Sequence, residues 1–259
     1  MQLPLQVRLK LLRQRALAAL RIGGNRPVRI LETAGGLAIE VDGRRIRVPS
    51  PLRWKLYRQG WTARLDRLER EYGVGRHVRL HPGDLVLDVG ANAGEFAFVA
   101  ERYGARIFCV EPDPRVFECL KANIAGLSGA SAHDAVIWKE DGVIDFGLAP
   151  DRADSSVFVD GAPRIARPAV TILSFARDHG LAHIDFLKCD AEGAEPEVLA
   201  GAGAFLQNVR AAALDTGPER NGEATGVACG EILARAGFKV IHEEIGGRRM
   251  TYGINLRGL

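Results

Sequence analysis

The stretch that decides the fold is Asp88-Val-Gly-Ala-Asn-Ala-Gly94. The apolar residues 85–87 before it indicate a buried strand, and residues 95–102 after it indicate a helix. Gly90 and Gly94 keep side chains out of the turn, so a ligand can approach the backbone, and the helix start offers free N–H groups. The sequence therefore predicts a strand, a glycine loop and a helix that together bind a ligand.

An acidic residue at the end of the next strand completes this pattern. Residues 106–110 lead into Glu111, 21 positions after Gly90, where a carboxylate can accept both hydroxyls of a ribose. A dinucleotide site needs G-x-G-x-x-G around its pyrophosphate, whereas this loop is G-x-x-x-G and follows an acid, Asp88. A carboxylate there suits a ligand with no phosphate and with a positive end. We therefore favour S-adenosylmethionine (SAM) over NAD.

Strands and helices alternate along residues 81–259, which predicts an α/β fold with a mostly parallel, Rossmann-like sheet of seven strands. The last two strands, residues 238–244 and 250–255, have no room for a crossover helix and must pair antiparallel. This is the arrangement of class I SAM-dependent methyltransferases. The pattern also predicts an extra strand at 142–148, hairpinned onto a strand at 131–138, and a loop at 151–168.

Residues 1–80 form a separate basic region, with 18 Lys+Arg against 6 Asp+Glu. We expect a small α+β extension with a helix at 5–22, antiparallel strands within 33–48 and a helical region at 54–72. Three interpretations of the basic helix at 5–22 stay open: a packing or oligomerising helix, a peripheral membrane contact, and a nucleic-acid arm. The extension is expected to cap the site, to form a homo-oligomer or to contact a membrane.

The chain contains no apolar run long enough to span a membrane, and its basic first helix does not resemble a secretory signal. The four cysteines fall within strands or helices without metal-ligand spacing, which favours reduced, buried thiols. We therefore expect a cytoplasmic protein that in one interpretation lies peripherally at the inner face of the membrane.

A dense group of acids follows the strand at 184–190, with Asp190, Glu192 and Glu195 within six residues. Helix capping explains Glu195. Lys188 lies two residues before Asp190 on the same side of a strand that should be buried, where a lysine is usually paired with an acid. In a methyltransferase the ends of this strand and of the strand before Asp88 form the site.

The blocks L-V-L-D-V-G-A-N-A-G-E-F from Leu85, V-E-P from Val110, Ser155-Ser156 and D-F-L-K-C-D-A-E-G-A-E from Asp185 resemble the FkbM family of SAM-dependent methyltransferases. The resemblance covers roughly residues 80–245 and implies transfer to hydroxyl oxygens, commonly of sugars in polysaccharides, glycolipids or macrolide-type products. We accordingly expect an O-methyltransferase whose acceptor is a glycan or related small molecule.

Position in the predicted sheet assigns the candidate residues. Asp190 is the first choice for the base that takes the hydroxyl proton or orients the acceptor, and Glu192 is the second. For either residue the alternative roles are neutralisation of the sulfonium and coordination of a divalent ion. The cofactor residues are expected to be Asp88, Gly90, Asn92, Gly94, Glu111 and, at the adenine, Asp134. The acceptor residues are expected to be Ser155, Ser156, Asp215, Glu219 and Arg220, and no metal ion is expected.

Two other functions compete with this one. An RNA methyltransferase would use the basic N-terminal region, but the chain has no N-P-P-Y motif, no Pro-Cys nucleophile and only 7% aromatic residues for base stacking, so a nucleic-acid partner is disfavoured. A non-catalytic, membrane-associated SAM-binding protein would bind the cofactor without turnover.

Overall fold

The structure is a computed structural model that describes residues 5–20, 22–149, 155–158 and 161–257. Its helices are α1 (Leu5–Ala19), α2 (Trp61–Glu71), α3 (Glu95–Arg102), α4 (Pro114–Ile124), α5 (Ile172–Asp178), α6 (Glu195–Ala202) and α7 (Gly226–Arg235). Its strands are β1 (Arg29–Thr33), β2 (Gly36–Val41), β3 (Arg44–Arg47), β4 (Leu85–Val89), β5 (Arg106–Val110), β6 (Ala130–His133), β7 (Val136–Ile137), β8 (Gly142–Gly147), β9 (Arg164–Val170), β10 (Ile184–Cys189), β11 (Val209–Asp215), β12 (Phe238–Ile245) and β13 (Arg248–Asn255).

The predicted seven-stranded sheet is confirmed, in the order β12-β13-β11-β10-β4-β5-β6. Strand β13 runs antiparallel to both of its neighbours, and the remaining pairings are parallel. The chain order reverses between β4 and β10, so their carboxyl ends meet at the place where open α/β sheets bind ligands. The fold therefore brings the glycine loop after β4 beside the acidic segment after β10.

Two strand predictions beyond β6 are wrong: the strand at 131–138 is not continuous, and β8 does not form a hairpin with the strand before it. The expected strand at 131–138 is two strands, because the chain leaves the main sheet after His133 and the buried Val136 and Ile137 pair with β9 instead. Strand β8 pairs antiparallel with β9, which begins inside the predicted loop at 151–168. Residues 150–154 and 159–160 of that region lie outside the described residues. A three-stranded sheet, β7-β9-β8, therefore covers one side of the ligand end.

The helical region expected at 54–72 is interrupted by Gly60. A short 3₁₀ helix, Pro51–Tyr57, comes first, and α2 starts after Gly60. The φ of Gly60 is 100°, a backbone angle that glycine adopts easily and other residues rarely adopt. The Asp42 carboxylate accepts the Trp61 N–H at 2.8 Å at this start. Both segments contribute arginines to the ligand end of the sheet.

The N-terminal region and the sheet share one hydrophobic core. The Trp61 ring packs edge-on against Phe98 with 5.0 Å between ring centroids, and Tyr72 packs against Phe96 at 5.6 Å. Burial of such aromatic pairs contributes more than their area alone. This core fixes the carboxyl end of α2 beside the carboxyl ends of β4 and β10.

Helix α1 has two opposite apolar stripes. One stripe is buried and contains Val7, Leu11 and Ala18, of which Val7 and Leu11 belong to the shared hydrophobic core. The other stripe is exposed and contains Leu5, Leu9, Leu12 and Leu20. At 3.6 residues per turn the two sets fall on opposite sides of the helix. In the described part of the chain, no helix combines the length and apolarity that a membrane crossing requires.

The cysteines are free thiols. Cys109, Cys189 and Cys229 are buried, and Cys119 is partly exposed. Burial raises the pKa of each buried thiol, so they pack as small apolar groups rather than as nucleophiles.

Candidate active site

Two adjoining cavities lie at the carboxyl ends of β4, β5 and β10. The first cavity reaches from the glycine loop to Glu111 and to residues 135–137. The second cavity lies between the glycine loop and the N-terminal region. Four residues line both cavities: Gly90, Asn92, Asp190 and Glu192. The junction of the cavities is therefore the place where two bound molecules can meet.

Gly90 is required by the contact between the two strand ends. A Cβ at this position would lie 1.9 Å from the carbonyl oxygen of Asp190, and its φ is 71°. Gly94 serves a different purpose, because a Cβ there would lie 2.7 Å from Leu120 on α4. Gly90 thus lets the loops after β4 and β10 touch, whereas Gly94 packs α3 against α4 and lines neither cavity.

Glu111 is buried at the rim of the first cavity. Its carboxylate accepts the Asn92 N–H at 2.9 Å on one oxygen and the Asp113 N–H at 2.9 Å on the other. Burial raises the pKa of Glu111 to about 7, although these two backbone donors oppose the rise. Each carboxylate oxygen can accept a further hydrogen bond, so Glu111 retains the capacity to bind the two hydroxyls of a ribose.

Asp88 lies beneath the glycine loop and outside the lining of either cavity. It is fully buried and pairs with Lys188, whose Nζ is 2.6 Å from Oδ1 and 3.0 Å from the Gly90 carbonyl oxygen. The two residues are register partners on β4 and β10. The lysine therefore pairs across the sheet with Asp88, and it ties the glycine loop to β10.

Asp190 is placed at the junction of the cavities by three distant parts of the chain. Its Oδ2 accepts the Tyr72 hydroxyl at 2.7 Å and the Arg248 guanidinium at 2.8 Å, while its N–H donates to the Val89 carbonyl oxygen. Its other oxygen, Oδ1, is buried and has no hydrogen-bond partner among the described residues. One oxygen is held in place by two donors, and the other keeps an unused capacity to accept a hydrogen bond.

The environment of Asp190 keeps it ionised. Burial by itself would raise its pKa, but Arg248, Lys188 and the Tyr72 hydroxyl outweigh that effect, and the pKa lies below its ordinary value. Burial and the neighbouring carboxylate raise the pKa of Tyr72 well above its ordinary value, so Tyr72 remains a hydrogen-bond donor. The result is a negative charge with a fixed direction at the cavity junction.

Glu192 and the two serines close the other side of this junction. Glu192 has a left-handed backbone, with φ of 51°, and its carbonyl oxygen accepts the Ser156 hydroxyl at 2.9 Å. The Ser155 hydroxyl donates to Asp113 at 2.8 Å and lines the first cavity. The structure therefore places Ser155 beside Glu111 and uses Ser156 to anchor the segment 155–158 over the loop after β10.

Glu195 holds that loop from inside the protein. Its Oε1 accepts the N–H groups of Ala191 and Gly193 at 3.0 and 3.1 Å, and its Oε2 accepts the Thr225 hydroxyl at 2.8 Å. Burial raises the pKa of Glu195 to about 7. The expected capping role is thus extended: the side chain shapes the loop that carries Asp190 and Glu192.

The remaining candidate residues lie away from the cavity lining. Asp134 is partly exposed and pairs with Arg167, whereas the lining on that side begins at Ala135. Arg220 donates to the Gly193 carbonyl oxygen at 2.8 Å and stacks on Phe158. Both residues follow strands that end near the cavities, but their side chains contact neighbouring loops and do not line either cavity.

Asp215 and Glu219 lie behind Asp190. Asp215 is buried, and its carboxylate is 2.6 Å from Nε of Arg248. The carboxylate oxygens of Asp190, Asp215 and Glu219 lie within 4.8 Å of one another. The Arg248 guanidinium contacts two of the three carboxylates and supplies a positive charge to this acidic group.

Sequence reasoning missed two residues that orient Asp190, Tyr72 and Arg248. They lie 118 and 58 positions away from it in the chain. It also missed the arginines Arg53, Arg64 and Arg67 of the second cavity. The excess of basic residues before position 80 indicates an anionic partner, but it does not indicate which of these residues lie at the site.

Comparisons with known proteins agree with this geometry. A family model described as "Methyltransferase FkbM domain" matches residues 88–239. The 31-O-demethyl-FK506 methyltransferase FkbM of Streptomyces tacrolimicus is 29% identical over an alignment of 181 residues, and the match covers 56% of this chain and 67% of that protein. The 2-O-methyltransferase NoeI of Sinorhizobium fredii is 28% identical over an alignment of 149 residues, and the match covers 50% of this chain and 61% of that protein.

Solved structures are also similar at low sequence identity. A fibrillarin of Aeropyrum pernix, solved with bound S-adenosyl-L-methionine, has a TM-score of 0.49 and 16% identity, covering 88% of this chain and 94% of that chain. A fibrillarin pre-rRNA processing protein of Methanococcus jannaschii has a TM-score of 0.47 and 13% identity, covering 90% of each chain.

Proposed function

Because this chain belongs to the FkbM methyltransferase family and uses SAM, we propose that it methylates a hydroxyl oxygen of a sugar, a glycan or a related small molecule. The observation that carries the proposal is Asp190, an ionised carboxylate at the cavity junction with one oxygen held by Tyr72 and Arg248 and the other without a partner among the described residues. A hydroxyl acceptor needs such a group, because its proton must leave as the new bond forms.

The residues of the first cavity fit the cofactor. Glu111 lines the cavity with carboxylate oxygens that can accept ribose hydroxyls, the residues 135–137 offer an adenine ring an apolar contact, and Gly90 lets the glycine loop lie directly against the loop that carries Asp190. Glu111 also accepts the Asn92 N–H, so the ribose site and the glycine loop are built as one unit. The cofactor supplies an electrophilic methyl group on a positively charged sulfur.

The chain's own residues then have three tasks. Asp190 Oδ1 accepts the hydroxyl proton, while Tyr72 and Arg248 hold the carboxylate in place at its other oxygen. The segment 155–158, anchored on Glu192 through Ser156, covers the junction and excludes water from it. The names of both relatives denote O-methylation, which supports the same type of acceptor atom here.

Methyl transfer to a panel of acceptors tests the proposal. We expect a mass increase of one methyl group on hydroxyl-bearing sugars or glycosides, with formation of S-adenosylhomocysteine (SAH), and no transfer to the matching deoxy compounds. Glu231→Gln, an exposed carboxylate on α7, is the matched control and should retain activity. Transfer to RNA but to no sugar, or tight SAM binding without any transfer, would contradict the proposed acceptor class.

We propose further that α1 attaches the protein to an anionic membrane surface. Its exposed stripe of Leu5, Leu9, Leu12 and Leu20 is flanked by exposed basic residues, among them Arg8 and Arg13. No acidic residue occurs before Glu32, so the stripe and its borders are complementary to anionic lipid head groups. Arg21, at the end of the expected segment, lies outside the described residues.

The double variant Leu9→Ser/Leu12→Ser tests this attachment. Each leucine that enters a bilayer contributes about 1.5–3 kcal/mol, so we expect a loss of at least about a hundred-fold in binding to phosphatidylserine vesicles in co-sedimentation. Val143→Ser removes an exposed apolar side chain elsewhere and should bind as the unmodified protein does. Unchanged vesicle binding, with a dimer converted into a monomer by the leucine variant, would instead assign the stripe to a second copy of the chain.

A further inference from the structure

Three arginines of the N-terminal region line the second cavity. Arg53 comes from the 3₁₀ helix Pro51–Tyr57, and Arg64 and Arg67 lie nearly one turn apart on α2. The side chains of Arg53 and Arg64 are only 12% and 10% exposed. Guanidinium groups at such depth are normally matched by carboxylates or other acceptors, because a buried charge without a partner is costly.

The acceptors around Arg64 are few. Its Nη2 is 3.4 Å from Oε1 of Glu95, the same oxygen that accepts the Tyr57 hydroxyl at 2.8 Å and Arg53 at 3.2 Å. Its Nε is buried and has no hydrogen-bond partner in the part of the chain that the structure describes. Arg64 therefore has five N–H donors and one long bond to an oxygen that it shares.

The other charges near the cavity are already matched more closely. Arg67 pairs with Glu71 at 2.7 Å, and Lys188 pairs with Asp88 at 2.6 Å. Arg248 contacts Asp190 and Asp215. Among the cationic side chains that line the second cavity, Arg64 therefore has the longest distance to its nearest carboxylate oxygen, 3.4 Å.

We propose that Arg64, flanked by Arg53 and Arg67, binds an oxyanion, a carboxylate or phosphate group, carried by one of the two reactants. The planar guanidinium presents paired N–H donors that match the two oxygens of such a group, and a neutral hydroxyl would leave the charge unmatched. The second cavity meets the first at Asp190, so an oxyanion bound there belongs to a molecule that takes part in the reaction. The oxyanion site rests on the proposed function only for the identity of that molecule.

Two sources offer this chemistry. One is the α-carboxylate of SAM itself, reaching past Asn92 into the second cavity. The other is an anionic group on the acceptor, such as a sugar phosphate or a uronic acid. In both cases the N-terminal region completes the reaction cavity, because residues before position 80 supply the cation.

Calorimetric titration with inorganic phosphate tests the site without any methyl transfer. We expect phosphate to bind the full chain at millimolar concentration and to bind Arg64→Met at least ten-fold more weakly. Arg58→Met, an exposed arginine beside the same 3₁₀ helix, is the matched control and should bind phosphate normally. If Arg64→Met does not fold, Arg64→Lys keeps the charge and should bind phosphate with intermediate affinity.

Two further arms identify the source. Saturating SAH displaces phosphate if the oxyanion is the cofactor's carboxylate, and leaves phosphate bound if it belongs to the acceptor. In the first case Arg64→Met also weakens SAH but not 5′-methylthioadenosine, which lacks the carboxylate. The proposal is overturned if folded Arg64→Met matches the unmodified protein in its affinity for phosphate and in the ratio of its affinities for SAH and methylthioadenosine. These binding measurements do not depend on turnover, so a failure of the proposed function can be distinguished from a failure of the oxyanion site.

Discussion

Replacing Asp190 by Asn is expected to lower the rate of methyl transfer by about 10²–10⁴-fold, the range for loss of a positioned base. Asn has nearly the same shape and can still accept the hydrogen bonds of Tyr72 and Arg248, but its second polar atom cannot take a proton. Single-turnover measurement of methylated product separates this chemical step from binding.

Affinities measured on the same variant distinguish the two roles open to Asp190. A base leaves the affinities for SAM and SAH nearly unchanged, whereas a residue that neutralises the sulfonium weakens SAM, which carries that charge, and spares SAH. Glu192→Gln is the comparison, since Glu192 lines the same junction. A larger loss of rate in Glu192→Gln than in Asp190→Asn would make Glu192 the base.

The affinity for SAH is expected to fall about ten-fold between about pH 8 and pH 6 because Glu111 becomes protonated, one pKa unit being a factor of ten. The pKa of Glu111 is raised to about 7 by burial. The ionised carboxylate is the better acceptor for two ribose hydroxyls, so binding favours that form. Affinity is therefore full above the pKa and is lost as the pH falls through it.

Substitution of Glu111 tests this dependence by calorimetry at both pH values. Glu111→Ala removes hydrogen bonds to a charged group, each worth about 1.5–3 kcal/mol, so we expect SAH affinity to fall by at least about a hundred-fold. Glu118→Gln on α4 is an exposed control. Burial also raises the pKa of Glu195 to about 7 and that of Asp215 to about 6, so a pH dependence that survives in Glu111→Gln would come from one of these two acids instead.

The parts of the site that the sequence predicts are those coded by neighbouring residues. The glycine loop and Glu111 follow from the order of short strands and turns, and the structure places both at the first cavity. Asp190 follows for the same reason, because it directly ends a buried strand. Gly94 shows the limit of the pattern, since its neighbour Leu120 on α4 explains it better than any ligand contact does.

The parts that sequence reasoning missed depend on distant pairing. Lys188 was expected beside Asp190, but the parallel register of β10 with β4 sets it opposite Asp88. Strand β8 was expected to pair with the strand before it, yet β9 offers a longer antiparallel partner. Tyr72 and the cavity arginines reach the site through the core shared by α2 and α3, and no local pattern reports such packing.

The direction of the Asp190 carboxylate depends on two segments that are held separately. Tyr72 comes from the end of α2, and Arg248 comes from the first residue of β13, beside the hairpin turn. Hairpin ends and helix ends are the parts of a protein that open most readily without global unfolding. A brief opening of the hairpin end would withdraw Arg248 from the carboxylate, while the core that holds Tyr72 against Phe96 and the cofactor pocket on β4 and β5 would stay closed. On warming, methyl transfer should therefore be lost at a lower temperature than cofactor binding. Between these two temperatures the protein would hold its cofactor without transferring the methyl group.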